Sequence, residues 1–280
     1  MTRAAWRAAA NLTGLAVAAV VVFPIYWMVL SALKPSGEIQ AADPLPWTGH
    51  PTLDHFRSAL GVSGFARYFA NSAIVASVVV VASALIAFLA AVALTRFQFR
   101  FRTVLLVMFL VAQMVPVEAL TIPLFFLIRD LGRVAPMAGL NTLGSLMLVH
   151  LAFSLPFAIW MLRGFVAAVP ESVLEAARID GASQSGVLWR ILFPLAAPGI
   201  AATSVFSFIT SWNDFVFAKT FIIGTEHQTL PAALLVFFKP DENDWGGIMA
   251  ASTLMTLPVL VFFVLVQRRL VAGLGGAVKD

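Results

Sequence analysis

Cysteine is absent from the 280 residues, so the chain has neither a disulfide nor a thiolate metal site, and thiol content says nothing about compartment. Charge is scarce as well. Asp, Glu, Lys and Arg make up 11% of the residues, against about 25% in soluble domains. With 60% hydrophobic residues and a mean hydropathy of +0.93, the chain cannot clothe a water-facing surface in polar groups. That excludes a soluble globular protein and leaves an integral membrane protein. The histidines, His50, His55, His150 and His227, lack ligand spacing, so no metal site is expected. No nucleophile–base arrangement stands out. No G-x-x-x-x-G-K-[ST] loop occurs, so no route to ATP hydrolysis of that kind exists in this chain, and it does not read as an enzyme. The pI near 10.0 does not indicate a nucleic-acid partner, because the basic residues sit in short clusters beside apolar runs, where they set topology.

A helix crossing a hydrocarbon core of about 30 Å needs about 20 residues. Six segments reach that length, at roughly 11–33, 68–94, 103–128, 140–162, 198–223 and 247–267. The expected fold is therefore all-α and polytopic, with residues 1–280 forming one transmembrane domain. The first segment follows Arg3 and Arg7 but is too long for a signal-peptide core and lacks a convincing cleavage site, so it reads as an uncleaved span. If the N-terminus is cytoplasmic, the inner segments carry eleven Lys and Arg, including Arg96, Arg100 and Arg102 in one short loop. The outer segments carry seven: Lys34, Arg57, Arg67, Arg129, Arg133, Lys219 and Lys239. The bias places both termini inside. Pro116 and Pro123 fall in the third segment, which should be kinked. Small residues at Ala73/Ser77 and Ala87/Ala91 allow close helix approach.

Residues 175–194, EAARIDGASQSGVLWRILFP, interrupt this apolar chain on the cytoplasmic side. Pro170 and Glu171 suit a helix start. Val173, Leu174, Ala177 and Ile179 make one apolar side, Gly181 suits a left-handed stop, and Ser183 suits the cap of a second helix carrying Val187, Leu188, Ile191 and Leu192. The product is two short amphipathic helices around a glycine turn. Physics alone leaves two readings open: interfacial helices lying on the membrane, or a handle for a partner outside it.

Polar residues inside the apolar segments mark further candidates. Thr203, Ser207, Ser211 and Asp214 recur at i, i+4, i+8 and i+11 and share one face, with Thr210 nearby. Such a stripe either lines a translocation path or hydrogen-bonds to a neighbouring span. Trp212 and Asn213 flank it. Glu118 follows Pro116, where freed backbone groups need partners. As intramembrane carboxylates, Glu118 and Asp214 are functional candidates by default.

The spacing Glu175-Ala176-Ala177, three residues, Gly181, nine residues, Ile191, one residue, Phe193-Pro194 resembles the EAA loop of ATP-binding-cassette importer permeases, with Phe193 where leucine is usual. The resemblance covers nearly the whole chain and is to the carbohydrate branch, in particular the maltose-type six-span subunit. It is carried by Phe23-Pro24 with Trp27, Ser31 to Pro35, Asn71-Ser72, Leu140-Asn141-Thr142, Asp180-Gly181-Ala182 and Trp212-Asn213-Asp214, then by Gln267-Arg268-Arg269 through Gly273-Leu274 to Ala277-Val278-Lys279.

The resemblance implies a type I importer permease in the cytoplasmic membrane that moves a carbohydrate or related solute by alternating access. It implies a second, different permease subunit and two ATPase subunits that hold ATP and Mg, this chain carrying no cofactor of its own. It also implies an extracytoplasmic solute-binding protein engaging residues 224–245. Glu175, Ala176, Ala177, Asp180, Gly181, Ile191 and Pro194 would form the ATPase-coupling loop, within 170–197. Gly273, Leu274, Val278 and Lys279 would belong to a tail, 268–280, reaching between the ATPase subunits. That tail departs from the family: its glycine-rich part is one residue short, and Asp280 stands where glycine is usual. The resemblance puts Trp212 and Asn213 near the translocation path and the subunit interface, and with Ser207, Ser211 and Asp214 of the polar stripe and the carboxylate Glu118 they are the translocation-path candidates. The competing class is a stand-alone ion-coupled secondary transporter working through Glu118 or Asp214, for which no inverted-repeat signature is present.

Overall fold

In a computed structural model of the chain, residues 3–238 and 243–275 are described, and all regular structure among them is helical. The long helices are α1 (Arg3–Leu33), α3 (Phe65–Arg96), α6 (Leu143–Ala167) and α11 (Trp245–Gly275). Each is long and apolar enough to cross a membrane. Shorter helices are α2 (Asp54–Gly61), α4 (Arg102–Gln113), α5 (Thr121–Leu131), α7 (Glu171–Ile179), α8 (Gln184–Leu195), α9 (Ala197–Trp212) and α10 (Val216–Phe221). Two bent pairs, Arg102–Gln113 with Val117–Leu131 at 94° and Gln184–Leu195 with Ala197–Trp212 at 69°, raise the number of possible spans from four to six.

The breaks have chemical causes. The third apolar segment is sharply bent, because Pro116 lacks an N–H and holds an extended backbone (φ −59°, ψ 122°). Glu118 sits in the exposed 3-10 turn Val117–Leu120 that follows, at the bend. The fifth segment, expected to run unbroken over 198–223, stops at Trp212 and restarts at Val216. Asp214 causes the restart: its carboxylate accepts from the N–H groups of Phe217 (3.2 Å) and Ala218 (2.9 Å). A short carboxylate competes with the helix ladder in this way wherever it can cap a new start. The last helix continues to Gly275, past the expected end at 267, so Gly273 and Leu274 lie in α11, while Val278 and Lys279 lie outside the described residues.

The chain divides into two compact units, residues 1–65 with 234–258, and residues 66–233 with 259–280. In the first, α1 packs on α2. Lys34, counted from sequence among the outer-loop charges, is 1% exposed. Its ammonium donates to Leu45 O (2.6 Å) and lies 4.9 Å from the Trp27 ring centroid, while His55 Nε2 is 2.9 Å from Lys34 O. Tyr26 OH donates to Pro46 O. The connector after α1 is thus folded back on the helix end.

The second unit is built on α6. It packs against α9 and α4, and the buried side chains Phe88, Leu162, Val166, Leu174, Val187 and Leu192 join α3, α6, α7 and α8 in one apolar cluster. The helices approach closely where Gly199 faces Phe165: a Cβ there would fall 2.4 Å from the Phe165 ring. Gly199→Leu should therefore lower the melting temperature of the solubilised subunit, by overpacking worth about 1–3 kcal/mol. Scanning fluorimetry of the purified protein checks this, and an unchanged melting temperature would contradict the packing.

Candidate functional site

Residues 170–197 fold as a helix pair around a defined turn. Ser183 caps α8, its hydroxyl accepting from Gly186 N at 3.1 Å. Helix α7 closes on a Schellman motif. Ala182 N donates to Ala177 O (2.9 Å), Gly181 N donates to Arg178 O (3.1 Å), and Gly181 takes φ +86°. A non-glycine residue in that region costs about 1–2 kcal/mol, which explains the glycine in EAA-x3-G: its place, four residues after Ala177, is set by the helix end. Beyond the turn, α8 is π-helical over Val187–Leu192, a local widening of the backbone common at functional sites.

The pair has two faces. Leu174, Val187 and Leu192 are buried, with Ala177, Ala182, Leu188 and Ile191 packed partly against them. Glu175, Ala176, Asp180, Gly181 and Pro194 are exposed. Ile179, read from sequence as part of the apolar side, is instead 86% exposed, next to Asp180 on the outer face. The reason is its place in the last turn, one residue ahead of the cap. On the α8 side, Gly181, Ser183, Gly186, Trp189 and Arg190 line a surface cleft of about 450 Å³. A rigid pair with its apolar face seated and its outer face bare is suited to being gripped by another macromolecule.

The polar stripe of the fifth segment is engaged in helix-to-helix contacts. Ser83 on α3 donates to Ser207 (3.0 Å), whereas Thr203 bonds back within α9, donating to Gly199 O and Ile200 O at 3.1 and 3.0 Å. Ser211 Oγ lies 3.0 Å from His150 Nδ1, and His150 Nε2 lies 3.3 Å from Asp214 Oδ2, though not aligned as a hydrogen bond. His150, on α6, carried no signal in the sequence because its partners are 61 and more residues away. A serine–histidine–aspartate order invites comparison with hydrolases. Here the His and Ser are buried and the carboxylate is committed to starting α10, so the set ties α6 to α9 and α10. Trp212 is 1% exposed between Phe69 (5.6 Å) and Phe208 (5.5 Å), and Asn213 is exposed.

A third group was quoted in the sequence for its resemblance alone, and its task becomes visible only in three dimensions. Asn71 Nδ2 donates to both Glu226 O and Gln228 O at 2.9 Å, and Ser72 Oγ accepts from Leu230 N at 2.9 Å. Asn141, at φ 61°, donates its N–H to Phe221 O (2.8 Å) and accepts from Gly224 N (2.9 Å). Together they pin the segment 221–230 that enters the loop ahead of α11. That loop, 224–245, includes residues 239–242 outside the described ones, and its end borders a cleft in the first unit of about 570 Å³ lined by Asp54, His55, Asn243, Asp244 and Trp245. The Thr52 hydroxyl, with Arg57, holds the Asp54 carboxyl below the usual carboxylate range.

Comparison with known proteins gives one consistent result. Residues 83–275 match the family model of the binding-protein-dependent transport system inner membrane component. The diacetylchitobiose uptake system permease protein DasC of Streptomyces coelicolor is 40% identical over 270 residues, 96% of each chain. The trehalose/maltose transport system permease protein MalG of Thermococcus litoralis is 33% identical over 272 residues, 94% of this chain and 93% of that one. Among solved structures, a chain of a bacterial ABC transporter involved in import of the acidic polysaccharide alginate superposes with a TM-score of 0.78 at 21% identity, covering 96% of this chain and 98% of that one.

Asn141→Ala should remove the acceptor for Gly224 and leave alanine at positive φ, a combined loss of about 2–3 kcal/mol. The expected readout is faster proteolytic cleavage within 221–230. Cleavage at the parental rate would show that Asn141 does not hold this segment.

Proposed function

Since the chain belongs to the family of binding-protein-dependent transport system inner membrane components, we propose that it is the permease subunit through which an ATP-driven importer passes a carbohydrate or related glycoside. It resides in the cytoplasmic membrane with both termini inside, beside a second, different permease subunit. Two ATPase subunits bind ATP and Mg and dock on residues 170–197, and an extracytoplasmic binding protein delivers solute against 224–245. The carbohydrate assignment is supported by the printed substrates of relatives, diacetylchitobiose and trehalose/maltose.

The observation that carries the coupling role is the two-faced helix pair. Its buried face is continuous with the cluster that holds α3 and α6, while Glu175, Ala176, Ile179 and Asp180 face outward. A motor gripping that outer face would move α7, α8 and the spans fused to them as one body, which is how closure of an ATPase pair becomes alternating access. The absence of a phosphate-binding loop in the sequence fits a permease that draws energy from a separate chain. A stand-alone ion-coupled carrier finds no counterpart in the relatives named above, which are permease proteins of uptake and transport systems, and Glu118 is exposed at a bend instead of being buried in a proton relay.

Glu175→Lys and Gly181→Pro should each abolish co-purification of the ATPase and cut uptake by roughly tenfold or more, while membrane insertion stays intact. Uptake and co-purification at parental levels in both variants would rule out this docking surface. In proteoliposomes, uptake should require ATP and the ATPase subunits. Uptake by the single chain on a proton or sodium gradient would instead establish the secondary-transporter class.

A further inference from the structure

We propose that Arg96 is a positioning residue that locks the docking helix α7 to the ends of α3 and α6, so that displacement of the dock is transmitted to the spans without slack. This rests on residues 170–197 being the ATPase dock. Arg96 is the last residue of α3, and its side chain is only 17% exposed. One terminal nitrogen, Nη2, donates to Val166 O and Val169 O, both at 2.7 Å. Val166 O stands in the last turn of α6, where a helix leaves its last acceptors without intrahelical donors, and Val169 O in the turn that follows it. The other, Nη1, donates to Glu171 Oε2 at 2.8 Å. Glu171 is the first residue of α7, and its second oxygen accepts from Arg178 at 3.3 Å, further along the same helix.

A single planar guanidinium therefore meets the end of one helix and the beginning of the next from the tip of a third. The turn it spans, residues 168–170, is the only covalent link between α6 and the dock on that side. If α7 moves, it must carry α3 along or break a charge-assisted bond, and the α6 carbonyls prevent the fork from swinging to follow α7 alone. A lysine would keep the charge, and with it the cytoplasmic bias of this loop. It would not keep the geometry, because an ammonium is a single point and cannot address both directions with a rigid fork. Simple capping of α6 would give the same distances. The two roles separate in their consequences: capping alone changes stability, whereas a strut changes the transport obtained per ATP.

The test uses the complete importer reconstituted in proteoliposomes, with the binding protein and the sugar identified for it by thermal shift. Arg96→Lys and Arg96→Gln are compared with the parental complex for ATPase co-purification, melting temperature and solute imported per ATP hydrolysed. Arg96→Lys should retain the ATPase and the melting temperature while transport per ATP falls roughly tenfold. Glu171→Gln, which keeps both carbonyl bonds, should fall by less. Parental transport per ATP in both Arg96 variants overturns the proposal, as does a loss that merely tracks a lower melting temperature or a lower yield of complex. If the parental subunit itself fails to hold the ATPase, the docking assignment has failed and the strut falls with it. Retained docking with unchanged coupling removes the strut alone.

Discussion

Inside a bilayer no water is available to pair a stray backbone N–H or C=O, and each unpaired group costs several kcal/mol. That constraint bears hardest where helices break or end among the described residues. At the break after Trp212, the Asp214 carboxylate supplies acceptors for the restarting helix. At the end of α6, Arg96 supplies donors for its last carbonyls. At the approach to the loop ahead of α11, Asn71 and Asn141 take over backbone groups that no helix serves. These polar side chains act at helix ends and turns, where they stand in for water.

The same economy links structure to transport. A permease must bend at fixed places and stay rigid elsewhere, and both properties have local causes here. The proline at 116 and the Asp214 cap define where helices change direction. The apolar cluster around Phe88, Leu162 and Leu174 makes the loop helices part of the same body as the ends of α3 and α6. Burial of Ser207 and Ser211 against Ser83 and His150 joins α9 to its neighbours through hydrogen bonds, so within this subunit the stripe reads as a seam between helices. Polar seams of this kind are worth little individually, about 0.6 kcal/mol on average, and so fix geometry more than they add stability.

Much of the helix–glycine–helix loop was legible in the sequence because its determinants are local. A glycine four residues after Ala177 and a serine two residues later specify a Schellman end and an N-cap wherever they occur. The membrane class and most helix positions were equally legible, since burial in lipid demands long apolar runs. The fifth segment misled for an instructive reason. Hydropathy averages over about twenty residues, and one aspartate in such a window barely changes the mean, yet its two oxygens are enough to end a helix and begin another. Ile179 was assigned inward on periodicity, whereas its position at the helix terminus turns it out.

The sequence by itself determined the class, the approximate spans, the helix–glycine–helix loop and the family likeness, because each rests on composition or on contacts within a few residues. Tertiary structure alone decided which polar groups meet. His150 finds Ser211 and Asp214, Asn71 finds Glu226 and Gln228, and Arg96 finds Glu171, across 61 to 157 residues of intervening chain. No periodicity encodes such pairings. They arise when packed helices bring distant residues to the same level, where a buried polar atom must find a partner.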